Sequence, residues 1–140
     1  MPDKKIKHLE MIENVIERMA KNCFQLKGWA MTLVALVGAL GAQGSNKKFM
    51  LLAFIPVVGF WFLDAFYLQQ ERRYKQLYKN VAIKVEEEID FNLDESLAIG
   101  TDDEMKRLCF CKCLFSFSVA VFYGVIAGAM IALFCVLKVM

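Results

Sequence analysis

The chain has 140 residues, of which 58% are apolar and 23% charged, and its formal net charge is only +2. The apolar residues are gathered into long runs, which excludes a soluble domain of this size, since no single core so small needs three such blocks. The composition therefore predicts one small all-α integral membrane domain, 1–140, with no separate soluble domain.

In chain order, Met1-Pro-Asp-Lys-Lys-Ile-Lys-His8 has the basic start of a signal peptide but no continuous apolar core after it, so no cleaved signal is expected. Residues 3–26 predict an amphipathic helix with Asp3 as N-cap and Leu9, Ile12, Ile16, Met19, Cys23 and Leu26 on one stripe. The opposite face mixes Glu and Arg, unlike the Lys-rich face of a membrane-surface peptide. The stripe therefore suits a partner helix, in a neighbouring copy or in the rod described next.

A first span is expected over 27–43, opened by Lys27 and Trp29 at the interface and rich in Ala and Gly. Gly44, with Ser45 or Asn46, suits a tight hairpin into a second span over 49–68. That span passes without a break into a charged helical pattern over 69–90, with Tyr74, Leu77, Tyr78, Val81 and Val85 at helical spacing. One long helix kinked at Pro56 is expected, coupling bilayer to cytoplasm. An acidic connector over 91–101 follows, read either as a solvated linker or as a cation-attracting vestibule.

Thr101-Asp-Asp-Glu104 is a capping box, so a last helix is expected over 102–139, entering the membrane near Cys113 as a third span. On it Ser116, Ala120, Gly124, Gly128 and Ala132 recur every fourth residue and mark one face for close packing, inside the monomer or between subunits. Fourteen of the seventeen Lys and Arg residues lie before the first span or between the second and third; Lys47, Lys48 and Lys138 lie on the other side. The positive-inside rule then puts the amino terminus in the cytoplasm and the carboxyl terminus outside.

No catalytic residue is expected, because His8 has no nucleophile or carboxylate at a suggestive spacing and no P-loop, HExxH or GxSxG occurs. No cofactor is expected either, and Cys109, Cys111 and Cys113, at every second residue of a helix start, cannot fan around a metal ion. Juxtamembrane packing or lipidation suits them better. Asp64 is the only ionisable group inside an apolar run, and two readings stand: a carboxylate on an ion path, or a partner for Lys27 of the neighbouring span. Arg72, Arg73, Lys75 and Lys79, with Tyr74 and Tyr78 between them, suit lipid headgroups or an anionic ligand such as a nucleotide or oligonucleotide.

At His8–Trp29, and again at Phe60–Tyr78, the sequence resembles small bacterial transmembrane effectors of anti-phage defence, of the SLATT type and the HalB type of the Hailong system. The resemblance implies a homo-oligomeric pore, such as a tetramer, in the bacterial inner membrane. It also implies depolarisation during infection, gating by a nucleotide-type signal from a partner nucleotidyltransferase, and no catalytic residues. The alternative from a different class is a non-conducting membrane anchor that recruits a soluble partner through Leu9–Leu26 and the rod.

Overall fold

The computed structural model describes residues 3–43 and 54–139, and every regular element among them is helical. Helix α1 spans Asp3–Ala42, α2 Phe54–Ile83, α3 Asp102–Arg107, α4 Phe110–Leu114 and α5 Phe117–Val139. Single 3-10 turns at Glu86–Glu88 and Glu95–Leu97 punctuate the connector between α2 and α3. Two of these helices are long and apolar enough, by length and composition, to cross a membrane: Asp3–Gly41 and Phe117–Val136. The expected second span begins at Phe49, and its first five residues, like the Gly44 to Asn46 hairpin, lie outside the described residues.

The amphipathic segment and the first span are one uninterrupted helix of 40 residues, about 60 Å long at 1.5 Å per residue. No boundary falls at 26/27. A lone Gly28 costs a helix only about 1 kcal/mol relative to Ala, and the Thr32 hydroxyl donates to the Gly28 carbonyl at 2.9 Å. Helix α2 likewise runs from Phe54 through the apolar stretch into the charged rod. Pro56 lies two residues after its first described residue, Phe54.

Two packing centres lie one above the other along α1 and α2. The first joins Ala30, Val57, Val119, Tyr123, Ile126 and Met130, so the second half of α1, the start of α2 and all but the end of α5 form a three-helix bundle. The Tyr123 hydroxyl donates to the Phe60 carbonyl at 3.2 Å across it. Outside, Leu36, Ile55, Phe62, Leu63, Phe66, Val125 and Ile131 are exposed and form an apolar belt around the bundle. In the second centre Ile12 packs on Leu77 and Val81, with Leu9, Ile16, Tyr74 and Tyr78 around them. The amino-terminal stripe thus meets the rod of the same chain.

The rod ends at Ile83, seven residues short of the expected Asp90. Beyond it a ladder of side-chain turns competes with helix: Asn92 N donates to Asp90, Asp94 N to Asn92 and Ser96 N to Asp94, at 3.2, 3.0 and 2.9 Å. Hydrogen bonds from Ser96 hold the Asp94 carboxyl below its usual range. The connector folds back on the helices, burying Ala98 and packing Ile89 and Leu93 on the second centre.

His8 fastens the connector from the other side. It is fully buried, its Nε2 is 3.0 Å from the Asn92 carbonyl, and its ring lies 5.6 Å from that of Phe91, which has φ 54°. A carbonyl only accepts, so Nε2 carries the donated proton, and Nδ1 is buried with no hydrogen-bond partner among the described residues. His8→Ala is expected to cost about 1–3 kcal/mol through the cavity and the orphaned carbonyl. A lower melting temperature and faster proteolysis between Lys84 and Gly100 would report it; unchanged melting and cleavage would mean the histidine fastens nothing.

The expected single helix over 102–139 is three pieces, broken at Leu108–Cys109 and at Phe115–Ser116. Cys109 is extended, and side chains of α2 take up carbonyls that the breaks release. Gln69 donates to Leu108 O at 2.8 Å, Arg72 to Arg107 O at 3.1 Å and the Trp61 indole to Leu114 O at 3.1 Å. No local sequence signal marks these breaks. The freed carbonyls are satisfied from 35 to 53 residues away in the chain.

Candidate functional site

The broken segment leaves a cleft of about 530 Å³ against the rod, lined by Arg72, Lys75, Gln76, Lys79, Glu104, Arg107 and Leu108. Spacings of three and four put Arg72, Lys75, Gln76 and Lys79 on one face of α2. The capping box turns α3 so that Glu104 and Arg107, three apart, face it. Arg72 is held from three sides: Nη1 donates to Arg107 O and, at 3.6 Å, to Cys113 Sγ, and Nη2 donates to Ser116 Oγ at 2.9 Å. The Gln76 amide donates to Ile99 O at 3.0 Å.

Two carboxylates answer the cations of this cleft. Glu71 pairs with Lys75 one turn away, and Glu104 Oε1 lies 3.6 Å from Lys79 Nζ. Glu104 Oε2 is committed elsewhere, accepting from the Thr101 amide at 3.0 Å and its hydroxyl at 3.2 Å. The Thr101 amide, ahead of Lys79, holds the Glu104 carboxyl below its usual range, so it is ionised at neutral pH. Arg72 and Arg107 have no carboxylate within ion-pair distance among the described residues, which leaves the cleft net positive.

Three of the six basic and aromatic residues singled out in the sequence meet here: Arg72, Lys75 and Lys79. Arg73 faces a second cavity of about 500 Å³, with Gln69, Glu95, Met105 and Phe110. Tyr74 and Tyr78 pack on the second apolar centre, and the Tyr74 hydroxyl is 3.4 Å from Glu95. Burial, and after it the Glu95 carboxylate, push the Tyr74 phenol up, so it stays neutral. Neither tyrosine lines the cationic cleft. Glu104 and Arg107 are not legible as site residues because only the packing of α3 against α2 brings them to the cleft, and Gln76, though on the same face of α2, carries no charge to mark it.

Gly100 lies against Gln76 and Glu104, two of the residues that line the cleft. A Cβ there would lie 2.9 Å from Glu104 Oε2, 3.0 Å from the Gln76 amide nitrogen and 3.1 Å from Glu104 Cβ. Gly100→Ala is expected to displace both side chains, loosen the capping box and cost about 1–3 kcal/mol by overpacking. Melting temperature checks it, and a variant as stable as the parent would mean that the two side chains move aside freely.

About 12 Å back along α2 from Arg72, eight residues at 1.5 Å each, Asp64 is fully buried. Lys27 Nζ lies 2.7 Å from its Oδ2, and Oδ1 accepts no hydrogen bond among the described residues. Lys27 itself is 22% exposed. The structure therefore forms the Lys27 pairing, and within one chain Asp64 does not face water. Cys23 Sγ is 3.8 Å from the Asp64 carbonyl, so three groups of the α1–α2 seam converge at the lower edge of the bundle.

Of the expected small-residue face, Ser116 lies in the break before α5 and is half-buried under Arg72, Ala120 is half-buried on α5, and Gly124, Gly128 and Ala132 are exposed there. A Cβ at Gly124 or Gly128 would meet nothing within 4 Å. Cys109 and Cys111 are exposed and Cys113 is buried, and among the described residues no three His, Cys, Asp or Glu side chains gather for a metal ion. Comparison of the chain with protein-family models, with curated proteins and with solved structures finds no match in any of the three.

Proposed function

We propose that this protein is a homo-oligomeric membrane pore, gated from its membrane-distal end by an anionic ligand or partner. The observation that carries the reading is the placement of a buried Lys27–Asp64 pair and a net-positive cleft on the same continuous α2, about two turns apart. Work done on the cleft is passed along a helix without a flexible joint to a charged pair at the edge of the bundle. Intramembrane carboxylates are costly and commonly serve ion paths. In the closed state Lys27 neutralises Asp64; rotation of α2 against α1 separates them and presents the carboxylate to a path between subunits.

Three helices are too few to enclose a water path, and the exposed Gly124, Gly128 and Ala132 supply a surface on which copies can approach closely. With the resemblance at His8–Trp29 and Phe60–Tyr78, the reading extends to an effector of anti-phage defence in the bacterial inner membrane. There the amino terminus is cytoplasmic and the trigger is a nucleotide-type signal. The non-conducting anchor is less well supported, because Leu9, Ile12 and Ile16, which it would offer to a soluble partner, are engaged by the rod.

Ion release from vesicles tests the role of Asp64. Asp64→Asn is expected to lower the preference for cations over chloride. Equal flux and equal selectivity in the variant would remove Asp64 from the path.

A further inference from the structure

We propose that the cleft between α2 and α3 is a receptor for a phosphate-bearing anion, and that the chain's own Glu104 carboxylate stands in for that anion while the cleft is empty. This deepens the pore reading by assigning the anion's receptor residues and the carboxylate that occupies them at rest, and rests on that reading for any effect on gating; binding itself is measured without current.

The cations come from two helices and converge on one cavity, so their spacing is set by the fold and not by chance along one surface. Arg72 is already oriented by Arg107 O, Cys113 Sγ and Ser116 Oγ. A guanidinium carries five N–H donors, so it has donors left for the planar, two-point contact that phosphate oxygens accept. Arg107 brings a second guanidinium without a carboxylate partner among the described residues.

Glu104 explains how such a site tolerates being empty. Its Oε2 caps α3 through Thr101 while its Oε1 faces Lys79 at a loose 3.6 Å. A phosphate, with more charge and three acceptor oxygens, can take Lys79 from Oε1 without disturbing the cap on Oε2. Binding therefore rearranges one ion pair and leaves α3 folded. Arg72 lies one turn beyond Leu68, where the expected second span ends, and a phospholipid headgroup and a free phosphate compound present the same chemistry to this cleft.

The test uses the full chain in nanodiscs of phosphatidylcholine, with and without phosphatidylglycerol. Calorimetry with inorganic pyrophosphate reads the free-phosphate source, and mass spectrometry of retained phosphatidylglycerol reads the headgroup source. Saturable binding of one probe per chain is expected, weakened about tenfold by Lys79→Gln or Arg107→Gln through loss of a charge-assisted contact. Glu104→Gln, which keeps a capping-box residue, is expected to tighten it, and Lys112→Gln outside the cleft to leave it unchanged. Pyrophosphate binding in pure phosphatidylcholine identifies a soluble ligand; selective retention of phosphatidylglycerol alone identifies a lipid. Absence of saturable binding by both probes, or binding unaffected by Lys79→Gln and Arg107→Gln, would overturn the proposal.

Discussion

Lys27→Met is expected to be the most damaging single substitution in the bundle, lowering stability by about 3–5 kcal/mol, the cost of leaving one member of a buried ion pair alone. The two partners are not equivalent. Asp64 is enclosed on all sides and its short side chain cannot reach water, whereas Lys27 is 22% exposed and can extend its amine to the interface. Asp64→Leu is therefore expected to cost less than Lys27→Met. Lys27→Met combined with Asp64→Leu should recover most of the loss, because two apolar side chains replace the charges together. Thermal unfolding of the four proteins in one detergent gives the coupling directly. Additive effects, or single variants as stable as the parent, would mean that the pair is hydrated and contributes nothing.

Arg72→Lys is expected to fail although it conserves charge. One guanidinium spans Arg107 O and Ser116 Oγ, which a single ammonium on a flexible stem cannot hold together in the same geometry. Hydrogen bonds to charged groups contribute about 1.5–3 kcal/mol each, and the carbonyl released at the end of α3 has no intrahelical donor. Amide hydrogen exchange over Leu108 to Ser116 should accelerate, with little change in the bundle around Ala30 and Tyr123. Parent-like protection of that segment in Arg72→Lys would show that the breaks are held by something other than Arg72.

The same contacts explain what the sequence did and did not disclose. The Leu9–Leu26 stripe and the Tyr74–Val81 stripe are periodic over several turns, so their helices and their mutual packing were legible. The Thr101–Glu104 capping box was legible because its signal is local. The breaks at Cys109 and Ser116 were not: Leu108-Cys-Phe-Cys-Lys-Cys113 has no Gly or Pro, and the partners that stabilise the breaks are Trp61, Gln69 and Arg72 on another helix. The continuity of α1 through Gly28 is not legible, because the change from charged to apolar composition there resembles an element boundary, although a helix backbone does not register which solvent surrounds it. The cationic residues of α2 were visible as a group, yet only the fold separates Arg72, Lys75 and Lys79, which share the cleft, from Arg73, Tyr74 and Tyr78, which do not.

The pore is tested most directly by ionic current across planar bilayers containing the purified protein, with its oligomer mass determined in the same detergent and pyrophosphate added on the side of the rod. Discrete, cation-selective current from a defined oligomer, altered by pyrophosphate, is the expected result. A monodisperse monomer that passes no current with or without pyrophosphate would contradict it.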